Sequence, residues 1–159
     1  MNEVRQPAVA GSFYPEDASR LRGIVSHCLT EAVPAKHLHQ PKAVIAPHAG
    51  YIYSGPIAGS AFKPLEGRLG GVRRAVIIGP AHTAVFDGLA TVSVAKFATP
   101  LGTVPVDKAG IAAIRPLPQV QVNDAAHSRE HGLEVMLPFL QNLAADVALV
   151  PLVVGQAVR

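Results

Sequence analysis

Two histidines occupy matching positions in two similar stretches of the sequence. The apolar run at residues 43–46 is followed by a proline and His48, and the apolar run at residues 75–78 is followed by Gly-Pro and then His82. Short apolar runs bounded by Pro or Gly are typical of buried β-strands. Sites in α/β proteins lie at the carboxyl ends of such strands. The spacing therefore predicts two imidazoles that converge at strand ends.

Two converging imidazoles can hold a borderline divalent ion when a third donor is available. With a carboxylate or thiolate as that donor, open positions remain on iron for a chelating substrate and oxygen, as in non-haem iron oxygenases. The competing interpretation is that each histidine only forms a hydrogen bond in its own turn. The spacing alone leaves both interpretations open.

A second histidine pattern is formed by His127, Glu130 and His131, which spell H-x-x-E-H. In zinc metallopeptidases of this pattern, helical histidines bind zinc and the glutamate activates water. A third ligand would have to follow, and Asp146 is the strong donor available downstream. This peptidase hypothesis leaves the two strand-end histidines without a role, and we keep it as an alternative.

The elements that position these side chains follow from hydrophobic periodicity. Helices are predicted over residues 16–33, 55–65, 107–114 and 128–145, and strands over residues 43–46, 75–78, 90–95, 103–106, 120–122 and 147–154. Apolar strands that alternate with helices predict an α/β fold with a mixed, largely parallel sheet.

The predicted helix over residues 128–145 has an apolar side and an ionisable side. Glu130, His131 and Glu134 share the ionisable side at 100° per residue. Pro138 removes one helical hydrogen bond and is expected to bend the helix after its first turns. Residues 1–15 are expected to form an extended arm with a turn.

Length and composition indicate one soluble globular domain. The chain has 159 residues, of which 49% are apolar and 16% charged. Its net charge of +3 comes from scattered Lys and Arg rather than a basic stripe, so nucleic-acid binding is not expected. The longest apolar tract, residues 147–154, is too short to cross a membrane. The amino terminus lacks the pattern of a signal peptide, so a cytoplasmic protein is expected.

The cysteine and two further histidine residues are not expected to take part in a functional site. The single cysteine, Cys28, lies in an apolar helical pattern and is expected to be a packed core thiol. His37 and His39 lie in the linker over residues 34–41 and are expected to be solvated loop residues.

Six segments carry a family resemblance over almost the whole chain. In chain order they are VAGSFYP, VIAPHAGYIYSGPIAGSAF, VIIGPAHT, TPLGTVPVD, EHGLEVMLPFL and LVPLVVG. They closely resemble the Memo-like family, also called AmmeMemoRadiSam system protein B. That family is similar in fold to class III extradiol ring-cleavage dioxygenases, which use non-haem iron(II). The resemblance implies a three-layer α/β sandwich.

The same resemblance implies roles for individual residues. His48 and His82 would be metal ligands for iron(II) or another divalent metal, and Phe13 and Tyr53 would line the adjoining cleft. Glu130, His131 and Glu134 would lie nearby and orient the ligands or tune their charge. The ligand expected in the cleft is a small aromatic molecule or a peptide. Ring cleavage does not follow from the architecture, so a non-enzymatic module that binds a peptide or partner is the competing function.

Members of the Memo-like family continue beyond the segment that corresponds to residues 153–155. We therefore expect residues 1–159 to be a single Memo-like domain that corresponds to its amino-terminal half to three fifths, without the family's third metal ligand. Exposed apolar edges are expected to follow. A complementary carboxyl-terminal chain or a homo-oligomer would cover them.

Overall fold

The computed structural model describes residues 3–33, 41–144 and 146–156. It shows an α/β protein, which confirms the predicted class. The helices are α1 (Ala18–Thr30), α2 (Tyr51–Phe62), α3 (Lys108–Ile114), α4 (Asp124–Ser128) and α5 (Leu137–Leu143). The strands are β1 (Val4–Arg5), β2 (Arg74–Pro80), β3 (Leu89–Thr91), β4 (Lys96–Thr99), β5 (Gly102–Pro105), β6 (Val120–Val122) and β7 (Ala148–Val154).

Among the described residues the strands form two sheets. The larger sheet has the order β2-β7-β3-β6, and the smaller one has the order β1-β4-β5. In the larger sheet β2 pairs with β7 in parallel, β7 with β3 antiparallel, and β3 with β6 in parallel. The sheet is mixed and largely parallel, as predicted, but part of the chain belongs to a second sheet.

Strand β7 forms the centre of the fold. Its residues from Leu149 to Val153 are buried, because helices and loops cover both of its faces. Its continuous apolar sequence is typical of a strand in this position. Strand β2, which carries the chain to His82, is held in register along its whole length by β7.

Helices α1 and α2 pack closely against each other. Asp17 caps α1 by accepting a hydrogen bond from the backbone N–H of Arg20 at 2.7 Å. Cys28 is buried in the core, as predicted. Gly59 of α2 faces the backbone carbonyl of Cys28 so closely that a side chain there would collide with it.

Helix α2 begins at Tyr51, four residues before the predicted start. Tertiary contacts fix this earlier turn: the backbone N–H of Tyr51 donates to the carbonyl of Phe13 at 2.7 Å, and its hydroxyl donates to the carbonyl of Val135 at 2.7 Å. Periodicity within the helix does not reveal such contacts.

The predicted strand over residues 43–46 is not formed. The segment has no regular secondary structure, and the side chain of Ile45 is 98% exposed. A strand needs a neighbour to accept and donate its backbone hydrogen bonds. No described strand pairs with this segment.

The predicted helix over residues 128–145 is also wrong. Helix α4 ends at Ser128, a 3-10 turn covers Glu134–Met136, and α5 begins at Leu137. The carboxylate of Glu130 accepts from the backbone N–H of Gly132 at 2.8 Å, which holds this stretch out of helical geometry. Pro138 lies in the first turn of α5. Backbone N–H groups in a first turn have no partner within the helix, so the proline costs no helical hydrogen bond there.

The other elements differ from prediction mainly at their ends. The predicted strand over residues 90–95 ends at Thr91, and the predicted link over residues 97–102 is largely the β4–β5 hairpin. His37 and His39 lie outside the described residues. Within the described part of the chain, no helix has both the length and the apolar character needed to cross a bilayer.

Candidate metal centre

Three histidine rings come together at one end of the larger sheet. Nε2 of His48 lies 3.3 Å from Nε2 of His82. His131 joins them, with its ring centroid 4.2 Å from that of His82 and 6.0 Å from that of His48. One nitrogen from each ring can be chosen so that all three lie within 4.8 Å of one another.

Each ring is brought to the cluster by a different part of the chain. His48 lies just before α2, and His82 lies two residues after β2, where the N–H of Ala81 still donates to Val154 at 2.8 Å. His131 lies in the irregular stretch between α4 and α5. Gly132 lies beside both of the other rings: a Cβ at this position would be 3.5 Å from His82 and 3.7 Å from His48, which is ordinary van der Waals contact.

Glu130 orients the ring of His82. Nδ1 of His82 donates to Oε1 of Glu130 at 2.7 Å, and the backbone N–H of His82 donates to Oε2 at 2.7 Å. Burial alone raises the pKa of Glu130, but hydrogen bonds from Gly132 and His82 outweigh it and hold that pKa below its usual value. The ionised carboxylate therefore keeps the proton on Nδ1 and leaves Nε2 of His82 facing His48.

His131 is held in a partly apolar environment. Its ring packs on Phe13, with centroids 4.7 Å apart. Burial lowers the pKa of His131, and the nearby His82 and His48 lower it further when they are charged. The ring is consequently neutral at neutral pH, which is the form that can donate a lone pair to a metal.

The spacing of the rings fits a metal ion. Nitrogen ligands lie about 2.0–2.1 Å from zinc, so two of them in a tetrahedral site are about 3.3 Å apart. The 3.3 Å between the Nε2 atoms of His48 and His82 matches that separation. Imidazole ligands suit iron, copper, nickel and zinc. The structure thus provides three candidate nitrogen donors, one more than the predicted pair.

An open cleft of about 570 Å³ adjoins the cluster. The predicted cleft residues Phe13 and Tyr53 both line it, together with Pro47, Ile52, His48 and His131. Tyr53 lies in the first turn of α2 and is 80% exposed. Most of the cleft wall is apolar, while the histidines form its polar end.

Glu134 binds the amino-terminal arm. It is fully buried, and its carboxylate accepts from the backbone N–H groups of Ala8 and Val9 at 2.8 and 3.1 Å. The hydroxyl of Tyr14 donates to it at 2.5 Å, and the guanidinium of Arg5 forms an ion pair with it. Glu134 therefore anchors the amino-terminal arm, which carries Phe13 to the cleft, and its charge partly offsets the lowering of the pKa of His131 by burial.

Arg5 belongs to the same buried network, and the sequence did not indicate it. Its Nε donates to the carbonyl of His127 at 3.0 Å, and its Nη2 donates to the carbonyl of Glu130 at 2.5 Å. One cation thus holds the turn that carries Glu130 and His131. A lone arginine near the amino terminus has no pattern that would predict this role.

The H-x-x-E-H pattern does not form a site of its own. His127 is buried, and its Nε2 donates to the carbonyl of Ala90 at 2.8 Å. It lies outside the three-histidine cluster, and the carboxylate of Glu130 is occupied by Gly132 and His82. The geometry gives the zinc peptidase hypothesis no support.

These features define an α/β protein with a candidate three-histidine metal centre beside an apolar cleft. A family model described as Memo-like protein matches residues 5–158. The chain belongs to the Memo-like family, which confirms the resemblance seen in the sequence motifs.

Similar proteins come from bacteria and archaea. A MEMO1 family protein of Aquifex aeolicus is 38% identical over 152 residues, which cover 95% of this chain and 55% of that protein. A MEMO1 family protein of Ignicoccus hospitalis is 40% identical over an alignment of 160 positions, gaps included, which covers 94% of this chain and 56% of that protein. The chain spans about half the length of the curated relatives it matches.

Proposed function

We propose that this Memo-like chain binds one divalent metal ion through His48, His82 and His131, with iron(II) as the metal. The observation that carries the proposal is the 3.3 Å separation of Nε2 of His48 from Nε2 of His82. Two ring nitrogens at this distance, with no carboxylate between them, can both bind the same cation. The choice of iron rests on the resemblance to non-haem iron dioxygenases.

The surrounding residues have distinct tasks in this proposal. Glu130 holds His82 in the orientation that presents Nε2, and partial burial of His131 keeps its ring neutral. Phe13 packs against His131 and keeps water from that side of the ring. When bound, the ion would supply a Lewis acid for adjacent oxygen atoms of a ligand.

The cleft indicates the class of ligand. Its walls include Phe13, Ile52 and Tyr53, and its volume of about 570 Å³ accommodates a small aromatic molecule. A catechol-like ligand would place its ring between the apolar walls and its oxygens toward the histidines. The proposed reaction class is therefore dioxygenase-like oxidation of a small aromatic substrate.

A second candidate function is the binding of a peptide or protein partner without chemistry. The exposure of Tyr53 and Ile52 at the mouth of the cleft favours it, because exposed aromatic and aliphatic side chains are common in binding surfaces. Oxygen uptake separates the two functions. Iron-dependent consumption with a panel of catechols, abolished in His82→Ala, would support the oxidative reaction, and no consumption above that variant would leave the binding function.

Metal binding is tested first, by anaerobic calorimetry with iron(II) and with zinc. We expect one ion per chain and at least a ten-fold loss of affinity in each of His48→Ala, His82→Ala and His131→Ala. His27→Ala is the matched control, because His27 is an exposed histidine on α1. Binding that survives unchanged in both His48→Ala and His82→Ala would overturn the proposal.

A further inference from the structure

The polar contacts of Arg5 are made with the stretch of chain that carries His131. Its Nε donates to the carbonyl of His127 at 3.0 Å, its Nη2 donates to the carbonyl of Glu130 at 2.5 Å, and its Nη1 forms the ion pair with Glu134. Two of these acceptors precede His131 in the chain and one follows it. A single guanidinium therefore holds the chain on both sides of that histidine.

The stretch that carries His131 has little regular structure of its own. Helix α4 ends at Ser128, and residues 129–133 belong to neither a helix nor a strand. The last carbonyls of a helix lack donors within the helix. Arg5 provides a donor for one of them, the carbonyl of His127. The position of His131 is consequently set by contacts from elsewhere in the chain.

Arg5 is itself held firmly. Its backbone lies in β1, which pairs with β4 in parallel and places Arg5 opposite Phe97. Its guanidinium carbon lies 5.5 Å from the centroid of the buried Phe97 ring, a cation–π contact. A planar guanidinium that is fixed in this way presents its donors in defined directions. It can therefore serve as a rigid support for the turn before His131.

The amino-terminal arm reaches the histidine cluster a second time at Phe13. The ring of Phe13 packs on His131, with centroids 4.7 Å apart. The carbonyl of Phe13 accepts from the backbone N–H of Tyr51 at 2.7 Å, and a Cβ at Gly50 would lie 3.4 Å from the same carbonyl oxygen. The arm thus contacts the stretch that follows His48 as well as the one that carries His131.

We propose that Arg5 is a positioning residue of the metal centre. It holds the turn at residues 127–131 so that His131, and through Glu130 also His82, present their nitrogens to the ion. This role rests on the proposed function, the binding of a metal by the three histidines. Because the arm and the ion hold the same turn, each strengthens the binding of the other, and the two effects are equal by thermodynamic linkage.

The first experiment compares zinc binding by the 159-residue chain and by Arg5→Lys, measured by calorimetry. Lysine keeps the positive charge, but its single nitrogen cannot reproduce the fork of donors that meets two carbonyls and a carboxylate. We expect the affinity to fall about ten-fold or more. Arg22→Lys is the matched control, since Arg22 is an exposed arginine on α1, and it should bind zinc like the unmodified chain. Unchanged affinity in a folded Arg5→Lys would overturn the inference.

A double-mutant cycle separates positioning from a general loss of stability. In the His131→Ala background, Arg5→Lys should reduce zinc affinity only about three-fold or less, because one of the two ligands that Arg5 positions has been removed. Circular dichroism shows that each variant is folded. Equal reductions with and without His131 would mean that Arg5 acts on the whole fold, and the proposed role would then be wrong.

Hydrogen exchange tests the same coupling in the unmodified chain. The backbone N–H groups of Ala8 and Val9 donate to Glu134, so their exchange reports the opening of the arm. Saturating zinc should slow this exchange about ten-fold or more, as linkage requires. The N–H of Ile111 in α3 is the control. If zinc slows exchange at Ala8 and Val9 no more than at Ile111, the arm is not coupled to the ion.

These measurements distinguish failure of the proposed function from failure of this inference. A flat titration of the unmodified chain with both zinc and iron(II) would overturn the two together. Zinc binding that depends neither on Arg5 nor on closure of the arm would overturn the role of Arg5 alone. If Arg5→Lys does not fold, the exchange of Ala8 and Val9 in the unmodified chain decides.

Discussion

Oε1 of Glu130 lies 2.7 Å from Nδ1 of His82, and this contact determines which nitrogen of His82 faces His48. Glu130 is buried, and its second oxygen accepts from the backbone N–H of the same histidine. The carboxylate thus fixes both the ring and the backbone of His82. The candidate metal centre therefore depends on Glu130, whose Oε1 also lies 3.6 Å from Nδ1 of His131.

Replacing this carboxylate should weaken metal binding. In Glu130→Gln the amide group cannot accept all the hydrogen bonds from His82 and Gly132, so the ring of His82 loses its fixed orientation. We expect metal affinity, measured by calorimetry, to fall about 10–100-fold. Glu66→Gln is the control, since Glu66 is an exposed carboxylate paired with Lys63. An affinity equal to that of the unmodified chain would contradict the role of Glu130.

Removing Glu134 should destabilise the protein. Glu134→Ala leaves the buried guanidinium of Arg5 without its carboxylate, which should lower the free energy of unfolding by about 3–5 kcal/mol. Tyr14→Phe removes a single hydrogen bond to the same carboxylate and should cost about 1 kcal/mol. Urea unfolding measures both. A loss below about 1 kcal/mol for Glu134→Ala would show that the network does not anchor the arm.

Replacing a glycine by alanine should have opposite effects on the free energy of unfolding at two positions, one in α1 and one in α2. Gly59→Ala brings a methyl group into the carbonyl of Cys28 where α1 and α2 touch, and should lower the free energy of unfolding by about 1–3 kcal/mol. Gly23→Ala on α1 meets no atom within 4 Å and should raise it by about 0.5–1 kcal/mol. Thermal unfolding checks both. Equal effects would mean that the helices do not approach at Gly59.

Stability should fall as the pH drops below about 6.5, the pKa of histidine in an unfolded chain. Burial lowers the pKa of His127 in the folded state, so below that pH the unfolded chain binds a proton that the folded chain does not. Each such histidine contributes a slope of up to about 1.4 kcal/mol per pH unit. Urea unfolding at several pH values measures this slope.

The variant His127→Gln isolates the contribution of this residue. Glutamine retains an N–H that can donate to the carbonyl of Ala90 but does not titrate. The slope should decrease without vanishing, because the pKa of His131 is lowered as well. Identical slopes for the variant and the unmodified chain would show that His127 is not responsible.

The elements that could be predicted are those whose pattern is complete within the segment. The apolar run of β7, the periodicity of α1 and the helix α3 all appear in the sequence close to the positions where the structure has them. The pairing of His48 with His82 was also predictable, because each follows an apolar run in the same way. These features depend on the local spacing of apolar residues, which can be read directly from the sequence.

The failed predictions involve partners that are distant along the chain. Residues 43–46 have the composition of a strand but no described neighbour to pair with, and residues 128–145 have helical periodicity that Glu130 interrupts by bonding to His82. The third histidine of the cluster is a related case. His131 shares a predicted helix face with Glu134, yet the two side chains serve different parts of the structure.

The sequence by itself determined the family, the α/β class and the pairing of His48 with His82, because motifs, periodicity and spacing are local properties. Tertiary structure decided that His131 rather than His127 joins the cluster, that Glu130 orients His82, and that Glu134 anchors the arm. The physical reason is that a buried carboxylate takes whichever donors the fold brings to it. For Glu134 those donors, Arg5 above all, lie more than 100 residues away along the chain.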